Sequence, residues 1–169
     1  MTDADPGLAA LFRRLTLGVY VVGVAHDGQR DAFTAAWLMQ VSFEPLLLAL
    51  SVNPANASYS LLRDGGGFAV SVLKRDQLDL ARRFGTRSGR DEDKLAGVPW
   101  RPGRNGAPIL EDALAYFECA LAGGMRTGDH ELVLGRVVAG RVTDRAAAPL
   151  AYADTGNMDG SGALYPARF

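Results

Sequence analysis

Three stretches of the chain carry residue types suited to holding a ligand. In Ala32-Phe33-Thr34-Ala35-Ala36-Trp37, alanines stand where a strand ordinarily carries β-branched side chains. Small side chains let a flat ligand lie close to the main chain, within reach of backbone N–H groups. The same residues also fit an edge strand beneath a packed helix, and locally that plainer reading is favoured. In Ser51-Val52-Asn53-Pro54-Ala55-Asn56-Ala57-Ser58-Tyr59-Ser60, a strand ends, the chain turns and a helix starts. Free N–H groups at such a start, with Asn53, Ser58 and Ser60 as short donors, suit a phosphate. An ordinary helix capped by Asn56 explains them as well, and again locally better. In Gly128-Asp129-His130-Glu131-Leu132-Val133-Leu134-Gly135-Arg136-Val137, a polar turn opens a strong strand, with His130 at its mouth. There a histidine meets a ligand or simply solvent, and for an isolated histidine solvent is the commoner case.

Other chemistries are excluded. His26 sits in an Asp-Gly turn far from His130, and Cys119 is the one cysteine, so no zinc-ligand spacing and no internal disulfide exists. Cys119 lies inside a predicted strand, which favours burial over reactivity. There is no G-x-S-x-G elbow, P-loop or G-x-G-x-x-G opening a helix. Gly65-Gly66-Gly67 precedes a strand, so it is a turn. A net charge of −1 without a concentrated basic face argues against nucleic-acid binding. Residues 1–7 lack the basic and apolar regions of a signal peptide. The longest apolar runs are too short to span a bilayer. A cytoplasmic protein, without a membrane or metal site, is the expectation.

The elements that must position these residues follow from periodicity. The 169 residues, 48% apolar and 22% charged, suit a single domain over residues 1–169. Residues 8–15 read as a short helix with Pro6 near its first turn, and 19–25 as a strand. His26-Asp27-Gly28 turns the chain, and residues 31–40 return as one antiparallel strand running into 41–43. Residues 46–52 form a strand buried on both faces. Residues 57–63 are helical, 68–73 extended, and 76–84 an amphipathic helix. Residues 85–105 read as a long polar loop with one helical turn near 92–95, and a loop that long is functional or disordered. Two long strands, 113–122 and 131–143, flank a glycine-rich connection, and residues 146–169 show little periodicity. Many strands without βα alternation predict a mainly β fold, a barrel rather than a parallel sheet.

Taken in order, these segments resemble the flavin reductase-like family, whose fold is the FMN-binding split β-barrel, a Greek-key-like antiparallel barrel with short helices. The likeness runs from about Phe12 to Tyr165. Leu17-Gly18-Val19-Tyr20-Val21-Val22 resembles the opening strand. Thr34-Ala35-Ala36-Trp37-Leu38-Met39-Gln40-Val41-Ser42-Phe43-Glu44-Pro45 resembles the flavin-binding segment, and its Trp-x-x-Gln form is nearest to flavoredoxin-like members. Phe68-Ala69-Val70-Ser71-Val72-Leu73, Leu80-Ala81-Arg82-Arg83-Phe84, Phe117-Glu118-Cys119 and the stretch from Gly128 to Val137 follow in the family's order. The sequence departs from the pattern at Ala32-Phe33, where many reductases have Gly-Met. It departs also in the arginine-rich 85–105 loop and the glycine-rich 156–163 stretch.

The resemblance implies a homodimer that binds FMN, with FAD as the alternative, and oxidises NAD(P)H. Hydride passes to flavin N5, and reduced flavin serves a partner monooxygenase or another acceptor. Thr34, Ala35, Ala36 and Trp37 would contact the ring, largely through backbone. Ser51, Val52, Asn53, Ser58, Tyr59 and Ser60 would line the ribityl and phosphate end. Phe84 and Gly85 would close over the flavin. His130, the catalytic candidate, and Tyr165 would face the nicotinamide. The rivals are an electron-transfer flavoprotein of flavoredoxin or ferric-reductase type, then a non-enzymatic flavin- or haem-binding module, then a pyridoxamine-phosphate oxidase. For the last, the sequence shows no matching basic phosphate cluster.

Overall fold

The computed structural model describes residues 7–169. Strand β1 (Tyr20–His26) carries Val21, Val22 and Val24, β-branched side chains that favour extended backbone, and all three are buried. Asp27 (φ 52°) and Gly28 (φ 78°) reverse the chain in the positive-φ geometry of a two-residue hairpin. β2 (Gln29–Ala35) returns antiparallel, with Ala35 opposite Tyr20. The expected single strand over residues 31–40 is broken at Ala36-Trp37. β3 (Leu38–Ser42) leaves β1 and pairs with β4 (Leu47–Val52). Alternation of apolar residues fixes which face is buried but not which neighbour a strand takes, so the break was invisible in the pattern.

After β4 come helix α2 (Tyr59–Asp64), strand β5 (Gly67–Val72) and helix α3 (Leu78–Thr86). The N-cap of α2 is Ser58 rather than the expected Asn56. Asn56 stands two residues earlier and accepts the Ser58 N–H on its side-chain oxygen at 2.9 Å, an Asx turn. The region expected to be a long loop with one helical turn near 92–95 shows only turns there and contributes β6 (Trp100–Pro102), which forms a hairpin with β7 (Pro108–Leu110). Two three-residue strands rich in proline give no readable period. β8 (Ala115–Thr127) is longer than expected, because residues 123–127 remain paired up to the Gly128-Asp129 turn, and β9 (His130–Val142) has the expected length, one residue earlier.

The seven main strands form one antiparallel sheet in the order β2-β1-β5-β8-β9-β4-β3. Its two edges, β2 and β3, are joined by only Ala36 and Trp37. Edges tethered so closely must lie together, so the sheet coils into a barrel whose split falls at those two residues. Register shifts at Gln40/Ser42, Glu118/Cys119 and Leu121/Gly123 supply local bends that assist coiling. Inside the barrel, Val22, Leu50, Phe68, Val70 and Val133 form the main core. A second core, with Val19, Leu73, Phe84, Leu95 and Leu150, seats α3 and the following loop on the outside of the sheet.

Helix α1 (Gly7–Phe12) is shorter than the expected residues 8–15, and Pro6 lies outside the described residues. The aperiodic C-terminal stretch folds into two short 3₁₀ turns, Tyr152–Thr155 and Ser161–Leu164. Arg13 pins it by donating to the Gly156 carbonyl and, at 3.2 Å, to Asn157 Oδ1. No described helix is long and apolar enough to cross a membrane.

Candidate functional site

A cleft of about 290 Å³ opens at the split of the barrel. One wall is the chain from Phe33 to Trp37, and facing it are Ser51, Val52 and Asn53 at the end of β4. The break between β2 and β3 gives this wall its chemistry. Ala36 and Trp37 belong to no strand, and neither amide N–H finds an acceptor among the described residues. Two main-chain donors therefore stand over small side chains at the rim. The Thr34 hydroxyl turns away, donating to the Ala81 carbonyl at 2.7 Å and tying β2 to α3. Gly85, at the end of α3, approaches so closely that an added Cβ would lie 3.2 Å from the Thr34 Cβ.

Beyond Thr34 the cleft continues into a second space of about 260 Å³ that shares Phe33, Thr34 and Asn56 with the first. Its floor is the end of α3, Phe84 and Gly85, and its rim carries Thr86, Arg87, Ser88, Arg90 and Lys94. Lys94 is buried (3% exposed), held at 3.3 Å from Asp31 Oδ1. Arg87 pairs with Glu92 at 3.2 Å, whereas Arg90 has no ion pair among the described residues. A planar ring with a polar edge fits the first space, and an anionic tail fits the cations and hydroxyls of the second. The sequence reading missed Asn56 as a lining residue and all five rim residues. The signal was there in the arginine-rich composition of residues 85–105, but spacing alone could not fold that loop back onto β2.

The outer end of the cleft is closed by His130 and by the C-terminal turns. His130 Nδ1 lies 2.8 Å from Asp129 Oδ1, and its ring packs at 4.9 Å against Trp37, tilted by 48°. His130 beside it holds the Asp129 carboxyl below the usual carboxylate range. An ionised carboxylate only accepts, so Nδ1 is the donor and Nε2 is the atom left for a ligand. Tyr152, Asp159, Ser161 and Leu164 add a second wall that the sequence did not reveal. The Tyr152 hydroxyl lies 3.1 Å from Asp159 Oδ2 and 2.9 Å from Ser161 Oγ. Burial pushes the Asp159 carboxyl up, but hydrogen bonds from Ser161 and Tyr152 outweigh it and hold it low. The cleft thus carries a fixed negative charge at this end.

Four expected site residues point elsewhere. Ser58 is fully buried and donates to Asp31 Oδ2 at 2.6 Å. The Tyr59 hydroxyl donates to Glu131, which also accepts from Arg63 at 2.7 Å, so Tyr59 clamps α2 to β9. Ser60 lines a neighbouring groove along residues 28–31. Tyr165 stacks on Phe12 at 5.4 Å and does not line the cleft. α2 is only six residues long, while the rim after α3 gathers Arg87, Arg90 and Lys94. Thr34, Ala35, Ala36, Trp37, Ser51, Val52, Asn53 and His130 are brought together in the first space, and Phe84 and Gly85 in the second. No described cluster of three His, Cys, Asp or Glu side chains is arranged to hold a metal.

Comparison with known proteins agrees with this architecture. The family model described as flavin reductase like domain matches residues 12–161. A putative diflavin flavoprotein A 2 of Synechocystis is 39% identical over 142 residues, covering 83% of this chain and 25% of its own length. The reductase subunit HsaB of a flavin-dependent monooxygenase from Mycobacterium tuberculosis is 35% identical over 120 residues, covering 71% of this chain and 63% of its own. Among solved structures, the NADH:FAD oxidoreductase SgcE6 of Streptomyces globisporus superposes with a TM-score of 0.79 at 30% identity, over 86% of each chain. The chain spans only about a quarter of the length of the diflavin flavoproteins it matches.

Proposed function

This chain belongs to the flavin reductase like domain family, and we propose that it is an NAD(P)H-dependent flavin reductase that binds FMN or FAD non-covalently at the barrel split. The observation that carries the reading is the continuity of the two spaces. Two unengaged amides over a small-residue wall lead directly to a rim of Arg87, Arg90 and Lys94. A flavin has that polarity, with a flat ring of polar edge at one end and a phosphate at the other. Bound there, it supplies the redox chemistry by accepting a hydride from the nicotinamide.

The chain's own residues would position and tune. The Ala36 and Trp37 amides donate to the ring's polar edge, and Trp37 and Val52 exclude water beside it. Ser88, Arg87 and Arg90 hold the phosphate, with Lys94 fixed by Asp31 behind them and the Thr86 hydroxyl engaged by the Arg82 carbonyl. His130 offers Nε2 to the nicotinamide amide and orients the donor. No side chain has to act as a strong acid or base, which agrees with the absence of a triad or paired carboxylates among the lining residues. A homodimer, a cytoplasmic setting and a partner monooxygenase or other acceptor belong to the same proposal. The monooxygenase reductase subunit among the relatives supports that partner.

The test is the visible spectrum of the purified protein, loaded with FMN, before and after anaerobic NADH. Rapid bleaching of the flavin band is expected. A band that NADH and NADPH both leave unchanged would replace the reductase with an electron-transfer flavoprotein. Failure to take up any flavin would remove the proposal altogether.

A further inference from the structure

Next to the phosphate rim lies a third space that the flavin reading leaves without a task. It is a groove of about 430 Å³ along the β1–β2 turn, bounded by Gly28, Gln29 and Arg30 on one side and by Ser60 and Gly89 on the other. That volume lies within the range of small-molecule sites, about 300–1,000 Å³. The groove joins the phosphate rim, because Ala57 and Arg90 line both spaces. A ligand whose phosphate sits at Arg90 can therefore extend into it without leaving the protein surface.

Arg30, on the edge of the groove, is braced by an aromatic ring outside it. The Arg30 guanidinium lies 4.9 Å from the centre of the Trp100 ring. Trp100 is itself packed against the core that seats α3. The β6–β7 hairpin brings it there, and β1 makes room for that hairpin at Gly23, where a Cβ would meet the Pro108 carbonyl oxygen at 2.0 Å. Arg30 is thus braced against the indole, and it remains exposed and lines the groove. A planar cation held this way stacks well on a purine. The lining carries Arg30 and Arg90 against Asp31, Glu92 and Asp93, and the cation open to a phosphate is Arg90. Asp31 is engaged by Lys94 and Ser58, Glu92 by Arg87, and Asp93 accepts the Leu95 N–H, while Arg90 has no ion pair among the described residues.

We infer that this groove is a subsite for an adenosine phosphate, with Arg30 as its stacking platform. It takes the adenylate half of FAD, so that the protein discriminates FAD from FMN. The inference rests on the flavin reading above. The shared chemistry, an adenosine phosphate, also occurs in NADH. The groove favours FAD because it opens from the phosphate end of the cleft, whereas His130 lies at the opposite end.

The experiment compares binding of FMN and FAD by flavin fluorescence quenching, alongside the KM for NADH at saturating FMN, in the wild type, R30A and R30K. The expected wild type binds FAD about five- to tenfold more tightly than FMN, the range of one good stacking contact. R30A is expected to erase that preference and leave FMN affinity unchanged. R30K keeps the charge without the plane and is expected to lose most of it. Equal FMN and FAD affinity in the wild type would overturn the inference, as would equal weakening of both flavins in R30A. Full retention of the preference in R30K would remove the stacking role. A raised KM for NADH in R30A with the flavin ratio intact would assign the groove to the nicotinamide donor instead. FMN binding in any of these cases keeps the parent reading standing, and only loss of all flavin binding by the wild type would remove both.

Discussion

His130 stands at the first position of β9, where the Gly128-Asp129 turn ends, and three contacts fix its ring. Asp129 accepts the hydrogen bond from Nδ1–H, Trp37 packs against the ring at a tilt, and the backbone is held in the β8–β9 register opposite Thr127. A side chain so constrained is suited to orienting a bound molecule, since little rotamer freedom remains to be lost on binding. Replacement by alanine removes that constraint and leaves the rest of the cleft intact. The expected outcome for His130→Ala is a rise of about three- to tenfold in the KM for NADH, with a smaller loss in kcat, because mainly donor positioning is affected. Steady-state kinetics at saturating FMN measures it. Wild-type values for both constants would remove His130 from the site.

At the scale of elements, the decisive contacts are close backbone approaches rather than large side chains. The β6–β7 hairpin lies on β1 only because Gly23 has no side chain; a Cβ there would sit 2.0 Å from the Pro108 carbonyl oxygen. Gly135 on β9 makes similar room for the Phe68 ring, with a hypothetical Cβ at 2.5 Å from its Cζ. Backbone cannot move aside as the tip of a flexible side chain can. Gly23→Ala is therefore expected to lower the unfolding free energy by about 2–3 kcal/mol, an overpacking cost at the upper end of the usual range. Denaturant titration reads it directly. A change below about 0.5 kcal/mol, the level of a surface substitution, would show that the hairpin is not seated as described.

The whole molecule presents an apolar surface that one chain does not cover. β3 is an edge strand, and around it Met39 (64% exposed), Phe43 (86%) and Leu46 (43%) face outward, with Trp37 at the rim of the cleft. An exposed edge carrying such side chains invites pairing or burial. A second copy is the occupant that the proposed homodimer supplies, and it would place the interface directly beside the cleft. Phe43→Asp is expected to shift the sedimentation behaviour from dimer to monomer and to weaken flavin binding with it. A wild type that sediments as a monomer at all concentrations would end the dimer proposal.

Much of this was legible in the residues themselves. The valines of β1, the Asp-Gly turn, the apolar run of β4 and the amphipathic α3 each follow from local propensity and period, which need no distant partner. The small-residue stretch from Thr34 to Trp37 and the mouth position of His130 were readable for the same reason. Only the tertiary structure decided where the sheet splits, since pairing partners are chosen by the whole set of strands and not by any one pattern. That choice freed the Ala36 and Trp37 amides at the cleft rim. It also folded Arg87, Arg90 and Lys94 back onto β2, sent Ser58 and Tyr59 to Asp31 and Glu131, and stacked Tyr165 on Phe12. A sequence states which groups are available, but a loop of weak periodicity acquires its position only from the surfaces it is packed against.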